Sequence, residues 1–436
     1  MLKSEKEGRR VILIDDVAPE DNAMLQALYS RSGESVLAHL KKVEETGSGR
    51  FMEKYMVNYG HKSIADCGST TLYFENVSML AAKAIQDWPL YCGQESSTRY
   101  LDFGARPVVD PIGSKKSQQT IATLLEFYRL AQEPTAAEVR RRYPQHPDEK
   151  DSAYEGAVKA RTFDILRGFL PAGCTTQLSW HTNMRQAGDH LVGLQRHPLA
   201  EIRALGFQAQ GLLSERYTGT AGAFGQQGDA ADEWQAKLAQ ATTYHDGPEP
   251  EEFFVSTVNE ELLKEHKALL DSRPRGCVLP HFMSDYGQIH WTPTLDFGSF
   301  RDIQRHRNGV CRMPLLTTKL GFHPWYLEQL PEKLGREARN LLKIMEDNAA
   351  QNDPVDAQYL IPMGYRVQLQ LTYTLPAMLY IFELRSSKAV HPTLRAIVQD
   401  AIKLFREIHP NVPLHVDEDP SGWDVRRGTQ TIKEKS

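Results

Sequence analysis

What the sequence lacks narrows it first. No run of about eighteen apolar residues occurs, which excludes a membrane-spanning helix of ordinary length. The stretch MLKSEKEGRRVILID holds no apolar core of signal-peptide size. A soluble, cytoplasmic protein without a membrane partner is expected. The five cysteines (Cys67, Cys92, Cys174, Cys277 and Cys311) are odd in number, scattered and never spaced as CxxC. Neither a disulfide framework nor a zinc knuckle is indicated, and no metal is expected. Nor does one sign of charge prevail: 51 Lys and Arg against 56 Asp and Glu leave a net charge of −5. That balance argues against nucleic acid as a partner of the whole surface. Any basic site must be local.

What is present is enough for two domains of ordinary size, 436 residues of which 41% are hydrophobic and 25% charged. An internal repeat organises them. Lys83-Ala84-Ile85-Gln86-Asp87-Trp88-Pro89 aligns with Arg301-Asp302-Ile303-Gln304-Arg305-His306-Arg307, 218 residues later. LPAGCTTQL (170–178) aligns with IPMGYRVQL (361–369) at an offset of 191, and His197-Pro198 with His391-Pro392 at 194. Three matches in one order imply a duplicated unit, the first copy carrying extra residues between its first two matched segments. The Gly-, Pro- and acid-rich stretches GTAGAFGQQGDAADE and HDGPEPEE mark a linker. Copy one is expected over 1–228, the linker over 229–249 and copy two over 250–436.

Periodicity predicts an α+β fold, helices packed on antiparallel or mixed sheets. VNEELLKEHKALLD places Leu262, Leu263, His266, Leu269 and Leu270 on one helical face. HPTLRAIVQDAIKLFREIHP does so through Leu394, Ile397, Val398, Ala401, Ile402 and Leu404. TTLYFEN, TQLSW and VQLQLTYTL alternate as half-buried strands do.

The chemistry concentrates in four stretches. If FRDIQRHR is helical, Arg301 and Arg305 share a face, and Arg305, His306 and Arg307 fan across its end before Asn308-Gly309. Guanidinium forks suit a phosphate, although a basic helix end also complements the helix dipole without any ligand. GQESSTRY (93–100) offers hydroxyls, a carboxylate and an arginine after a glycine, as a ligand loop or as a hydrogen-bonded turn would. WHTNMRQAGDHL (180–191) and ELRSSKAVHPTLR (383–395) set polar groups beside apolar helical runs. Each alone reads equally as capping and packing; the conjunction points to a site.

Together these pieces resemble the flavin-dependent thymidylate synthase family, ThyX, whose fingerprint reads approximately RHRxxSxxxxSxRY. The resemblance covers most of the chain as two tandem copies with complementary losses. Copy two keeps Arg305-His306-Arg307 but has Leu315-Leu316-Thr317-Thr318 where SxRY belongs; copy one keeps Ser97-Thr98-Arg99-Tyr100 but has Asp87-Trp88-Pro89 where RHR belongs. Family sites lie between subunits of a homotetramer. The resemblance therefore implies a pseudo-two-fold pair with one intact composite site and a decayed twin, and a homodimer of tandem chains. The further positions divide alike: Arg167 in copy one against Gln358, Asn183 and Arg185 against Thr374 and Pro376, and Arg385 in copy two against an approximate Arg196.

Carried over, the resemblance implies that Arg305, His306 and Arg307, with Asn183 and Arg185, hold FAD. Gln94, Glu95, Ser97, Thr98, Arg99, Arg167, Gln304 and Arg305 would bind the nucleotide. Arg385 would polarise its uracil, and Ser97 is the second catalytic candidate. The implied reaction is reductive methylation of dUMP to dTMP with methylenetetrahydrofolate and NADPH. Three departures stand out: Thr98 replaces a family glycine, a family histidine is replaced near Asp66-Cys67, and a family glutamine in the helix before RHR has shifted or become Asp302. Two alternatives stay open: methylation or hydroxymethylation of another uracil nucleotide such as UMP, and a non-catalytic nucleotide-binding protein.

Overall fold

The computed structural model describes residues 2–6, 9–14, 16–58, 62–99, 101–224, 229–243 and 253–419. Tyr100 of GQESSTRY, and 225–228 and 244–249 beside and within the expected linker, lie outside them. The chain forms two compact units that interleave along the sequence. The first comprises 1–74, 90–94 and 178–241; the second comprises 75–89, 95–177 and 242–436. Helix and short antiparallel sheets alternate, an α+β architecture.

In the first unit, Pro19–Tyr29 and Val36–Thr46 are helices that close on Met24, Leu25 and Val43. Helices Met184–Leu194, Ala200–Arg216 and Asp229–Thr243 follow, so the segment read as a linker begins as a helix.

The second unit holds a four-stranded antiparallel sheet in the order Phe254–Ser256, Gln288–Trp291, Gln370–Thr374, Gly309–Arg312. Leu371 stands opposite both Trp291 and Cys311. Ile289, Trp291, Leu371 and Tyr373 are buried while the alternate residues are less so, the period of a sheet with one covered face. A second pair, Thr294–Asp296 with Arg366–Gln368, sets Leu295 against Val367.

Around the LPAG and IPMG segments the backbone hydrogen bonds are reciprocal. Ala172 N donates to Ile361 O (2.9 Å) and Met363 N to Leu170 O (2.9 Å); Gly173 N donates to Tyr359 O (2.9 Å) and Gly364 N to Gly168 O (2.8 Å). Pro171 faces Pro362 in an antiparallel bridge. Each bond becomes its mate when 191 is added to one end and subtracted from the other, the pattern of an isologous contact. The chains approach closely there: a Cβ on Gly364 would lie 2.4 Å from the Phe322 ring, and one on Gly173 2.5 Å from Val109 O. The residues read from the sequence as extra in the first repeat are helical, Lys115–Leu130, Gln132–Arg142 and Asp151–Leu166, and the corresponding stretch of the second repeat contains Glu332–Ala349.

Two helical expectations change. The stretch after Val258 is two short helices, Glu260–Glu265 and Lys267–Asp271, broken at His266 (φ −105°, ψ 21°), whose ring bonds the Tyr286 hydroxyl. Leu263 and Leu270 are buried but Leu269 is exposed. In Pro392–Ile408, Leu394, Val398, Ala401 and Ile402 face inward as expected, Phe405 joins them and Leu404 does not.

Candidate active site

The helix before RHR is short. It runs Phe297–Ile303, capped by Asp296, whose Oδ1 accepts from Ser299 N at 3.0 Å. Arg305, His306 and Arg307 lie in the turn beyond it rather than on the helix, so Arg301 and Arg305 do not share a face. The neighbouring strand fixes that turn. Tyr373 OH donates to His306 O at 2.8 Å, and Gly309 sits so close to the Tyr373 ring that a Cβ would lie 2.2 Å from it.

Arg301 turns inward and Arg305 stays exposed. Arg301 Nη2 donates to Glu95 Oε1, and Nη1 reaches Thr98 Oγ1 at 3.4 Å. Lys83 Nζ and Gln86 Nε2 each meet Glu95 Oε2 at 2.8 Å. Lys83 and Arg301 are the repeat-related pair, and both serve one carboxylate. Burial alone would raise the Glu95 pKa, but Arg301 and Lys83 outweigh it and hold the group ionised far below the usual carboxylate range. The same burial lowers Lys83 to about 8. With its side chain 3% exposed and both oxygens occupied, Glu95 ties the GQESST loop to two helices; it is not open to a nucleotide.

Arg99 grips Asp164 with two donors, Nε to Oδ1 and Nη2 to Oδ2 (2.7 Å). Its backbone N–H donates to Ser97 Oγ at 3.3 Å, the local turn that the serine and arginine permit. Asp302 lies among Arg99, Arg167, Arg305 and Arg385. Burial raises its pKa, but these cations, Arg167 foremost, pull it down to about 2. Arg385 donates through Nε to His306 Nε2 (2.9 Å) and through Nη2 to Asp302 O (2.7 Å). His306 is therefore neutral, protonated on Nδ1; burial, aided by Arg385, lowers its pKa to about 3. Arg307 donates to Gln86 O (3.2 Å) and Gln304 to Lys83 O (3.1 Å), so both brace the turn.

Arg167 is 2% exposed, and its Nε and Nη2 meet no acceptor. A buried guanidinium with idle donors is costly unless something completes it. Beneath it runs a polar network: Tyr326 OH and Thr393 Oγ1 donate to the two oxygens of Asp296 (2.7 Å each), and His391 bonds Thr393 Oγ1 (2.8 Å) and Asp164 O (3.2 Å). Burial drives the His391 pKa well below its usual value and the Tyr326 pKa well above.

Sequence reasoning placed Glu95, Ser97, Thr98, Arg99, Arg167, Gln304, Arg305, His306, Arg307 and Arg385 together, and all belong to the second unit. Gln94, Asn183 and Arg185 belong to the first. There Asn183 caps its helix by accepting from Gln186 N (2.8 Å), and Arg185 pairs with Asp66 (2.7 Å). Asp164, Asp296 and Tyr326 were missed, because no motif marks them. The 218-residue offset did carry a signal for Lys83, by matching it to Arg301.

Arg305, its side chain half exposed and only 3.9 Å from Asp302, is the arginine of the set open to a phosphate group, while the Nε and Nη2 of Arg167 are enclosed by protein near Tyr326. A cavity of about 160 Å³ is walled by Val278, Leu279, Pro376, Leu379, Tyr380 and Leu384, and Tyr380 packs edge-on against His306. This donor set suits a dinucleotide cofactor such as FAD.

Two chlamydial proteins, each named UPF0159 protein, are similar to this chain along most of their length. That of Chlamydia muridarum is 27% identical, covering 83% of this chain and 79% of its own; that of Chlamydia pneumoniae is 26% identical, covering 88% and 83%. A UPF0159 protein of Thermoplasma acidophilum is 23% identical over 90% of this chain and 94% of its own. The family model described as thymidylate synthase complementing protein, Thy1, matches residues 13–216. Through that segment the chain is similar to the Thy1 family.

Proposed function

We propose that this protein is an FAD-dependent thymidylate synthase that methylates dUMP at a composite site within one chain. The observation that carries the reading is the ring of Arg99, Arg167, Arg305 and Arg385 around Asp302, to which the GQESST side and the RHR side each contribute. The reciprocal bonds at Pro171 and Pro362 support a tandem duplication as its origin.

In this reading Arg167 and Arg99 take the nucleotide phosphate. Arg305 serves the phosphates of FAD and the nucleotide. Arg385, aimed by His306 and the Asp302 carbonyl, presents its remaining nitrogen Nη1 to the uracil and stabilises negative charge on the ring. Ser97 sets the backbone of the Arg99 turn. When bound, FAD supplies hydride, methylenetetrahydrofolate supplies the carbon, and NADPH restores the reduced flavin. The chain's share is position and charge. None of its five free cysteines is required as a nucleophile.

The test is the visible spectrum of the purified protein reconstituted with FAD, followed by turnover of dUMP and UMP with methylenetetrahydrofolate and NADPH. Flavin absorbance and formation of dTMP are expected. Reaction of UMP alone would shift the reading to another uracil nucleotide. A colourless protein without turnover would leave a nucleotide-binding protein in its place.

A further inference from the structure

The helix Met79–Gln86 lacks an RHR of its own, yet it holds both the RHR turn and the GQESST loop. Its backbone takes the turn: Lys83 O accepts from Gln304 Nε2 (3.1 Å) and Gln86 O from Arg307 Nε (3.2 Å). Its side chains take the loop. Lys83 Nζ meets Glu95 Oε2 at 2.8 Å and Gln86 Oε1 at 2.9 Å, and Gln86 Nε2 donates to the same Glu95 oxygen. Arg301 takes the other oxygen and reaches Thr98. The side chains of Lys83, Glu95 and Arg301 are 5%, 3% and 7% exposed, so two cations and one anion leave a net charge of +1 shut away from water. A brace alone needs no such excess, since one cation balances one carboxylate. Positive charge in a poorly screened interior attracts an anion. Around Lys83, Glu95 favours its charged form while Arg301 and Arg305 oppose it; burial is the largest effect and brings the pKa to about 8.

We propose that Lys83 is a positioning residue whose positive charge, exerted through Glu95, fixes the GQESST loop against the RHR turn and favours a bound anion there. This rests on the nucleotide reading of the site. Above about pH 8 Lys83 is neutral, the net charge of the three groups falls from +1 to zero, and the affinity for an anion falls with it. Global stability moves the other way. The folded pKa lies below the ordinary 10.5, so from about pH 8 upward the unfolded chain binds the extra proton and the contribution of Lys83 to stability rises. Affinity and stability therefore part company over the same range, which a merely structural lysine would not produce.

The experiment is calorimetric titration of the full chain with dUMP between about pH 7 and 8.5, beside urea unfolding over the same range. The dissociation constant of the unmodified protein is expected to rise about three- to fivefold while stability does not fall. Lys83→Arg, which keeps the charge, should match the unmodified protein at pH 7 and lose the rise. Lys83→Met should bind about threefold or more weakly at pH 7, also without the rise. A dissociation constant of the unmodified protein that stays flat overturns the inference, and that measurement needs no variant to fold. Affinity of Lys83→Met equal to that of the unmodified protein overturns it as well, as does a loss of stability in step with affinity. Failure of the unmodified protein to bind dUMP at pH 7 would instead remove the nucleotide reading, and this inference with it.

Discussion

At the residue scale, cations of the second unit divide by whether they have partners. Arg301 is buried against Glu95, and removing it leaves a buried carboxylate short of a charge. Arg301→Ala is expected to cost about 3–5 kcal/mol in urea unfolding. Arg167 has idle donors, so Arg167→Ala should cost less stability than Arg301→Ala yet raise the dUMP dissociation constant at least tenfold by calorimetry. The reverse order would mean that Arg167 is the structural residue. His306 carries a pH prediction. Its folded pKa is about 3 against an ordinary 6.5, so between those values the unfolded state binds the extra proton. Its contribution is fully present above about pH 6.5 and is lost as pH falls toward 3, with a slope up to about 1.4 kcal/mol per pH unit. His306→Gln should flatten the acid limb of stability against pH; an unchanged limb would show that the imidazole is already protonated in the fold.

At the element scale, the site depends on how tightly short segments approach. Gly364 lies against the Phe322 ring and 2.9 Å, by its absent Cβ, from Gly168 O. Gly364→Ala should cost about 1–3 kcal/mol by overpacking. Gly211, inside helix Ala200–Arg216, has nothing within 4 Å of a Cβ, and Gly211→Ala should add about 0.5–1 kcal/mol. Thermal melts of the two variants should move in opposite directions. The strands and Pro392–Ile408 were legible because burial imposes a period on consecutive residues. The RHR turn was legible in composition but not in shape, since the Tyr373 hydroxyl that holds the His306 carbonyl lies 67 residues later. The tasks of Glu95 and Asp164 were illegible for the same reason: their partners Arg301 and Arg99 lie 206 and 65 residues away, where no local pattern points.

At the scale of the whole molecule, the proposed duplication would decide the number of sites. Residues 170–173 and 361–364 exchange hydrogen bonds as two copies across a two-fold axis would. The chemistry around that contact is unequal. Arg167 stands where copy two has Gln358, whose Nε2 donates to Val355 O (3.0 Å) and whose Oε1 accepts from Leu316 N (3.1 Å), a residue satisfied by its own fold. Arg305-His306-Arg307 stands where copy one has Asp87-Trp88-Pro89. In the proposed reading, one arrangement would gather the arginines and its twin would be without them. The central claim is one composite site per chain, and the most direct measurement of it is the stoichiometry of dUMP binding to the purified 49.4 kDa protein by calorimetry. The account predicts one nucleotide per chain; two per chain, or one shared between two chains, would contradict it.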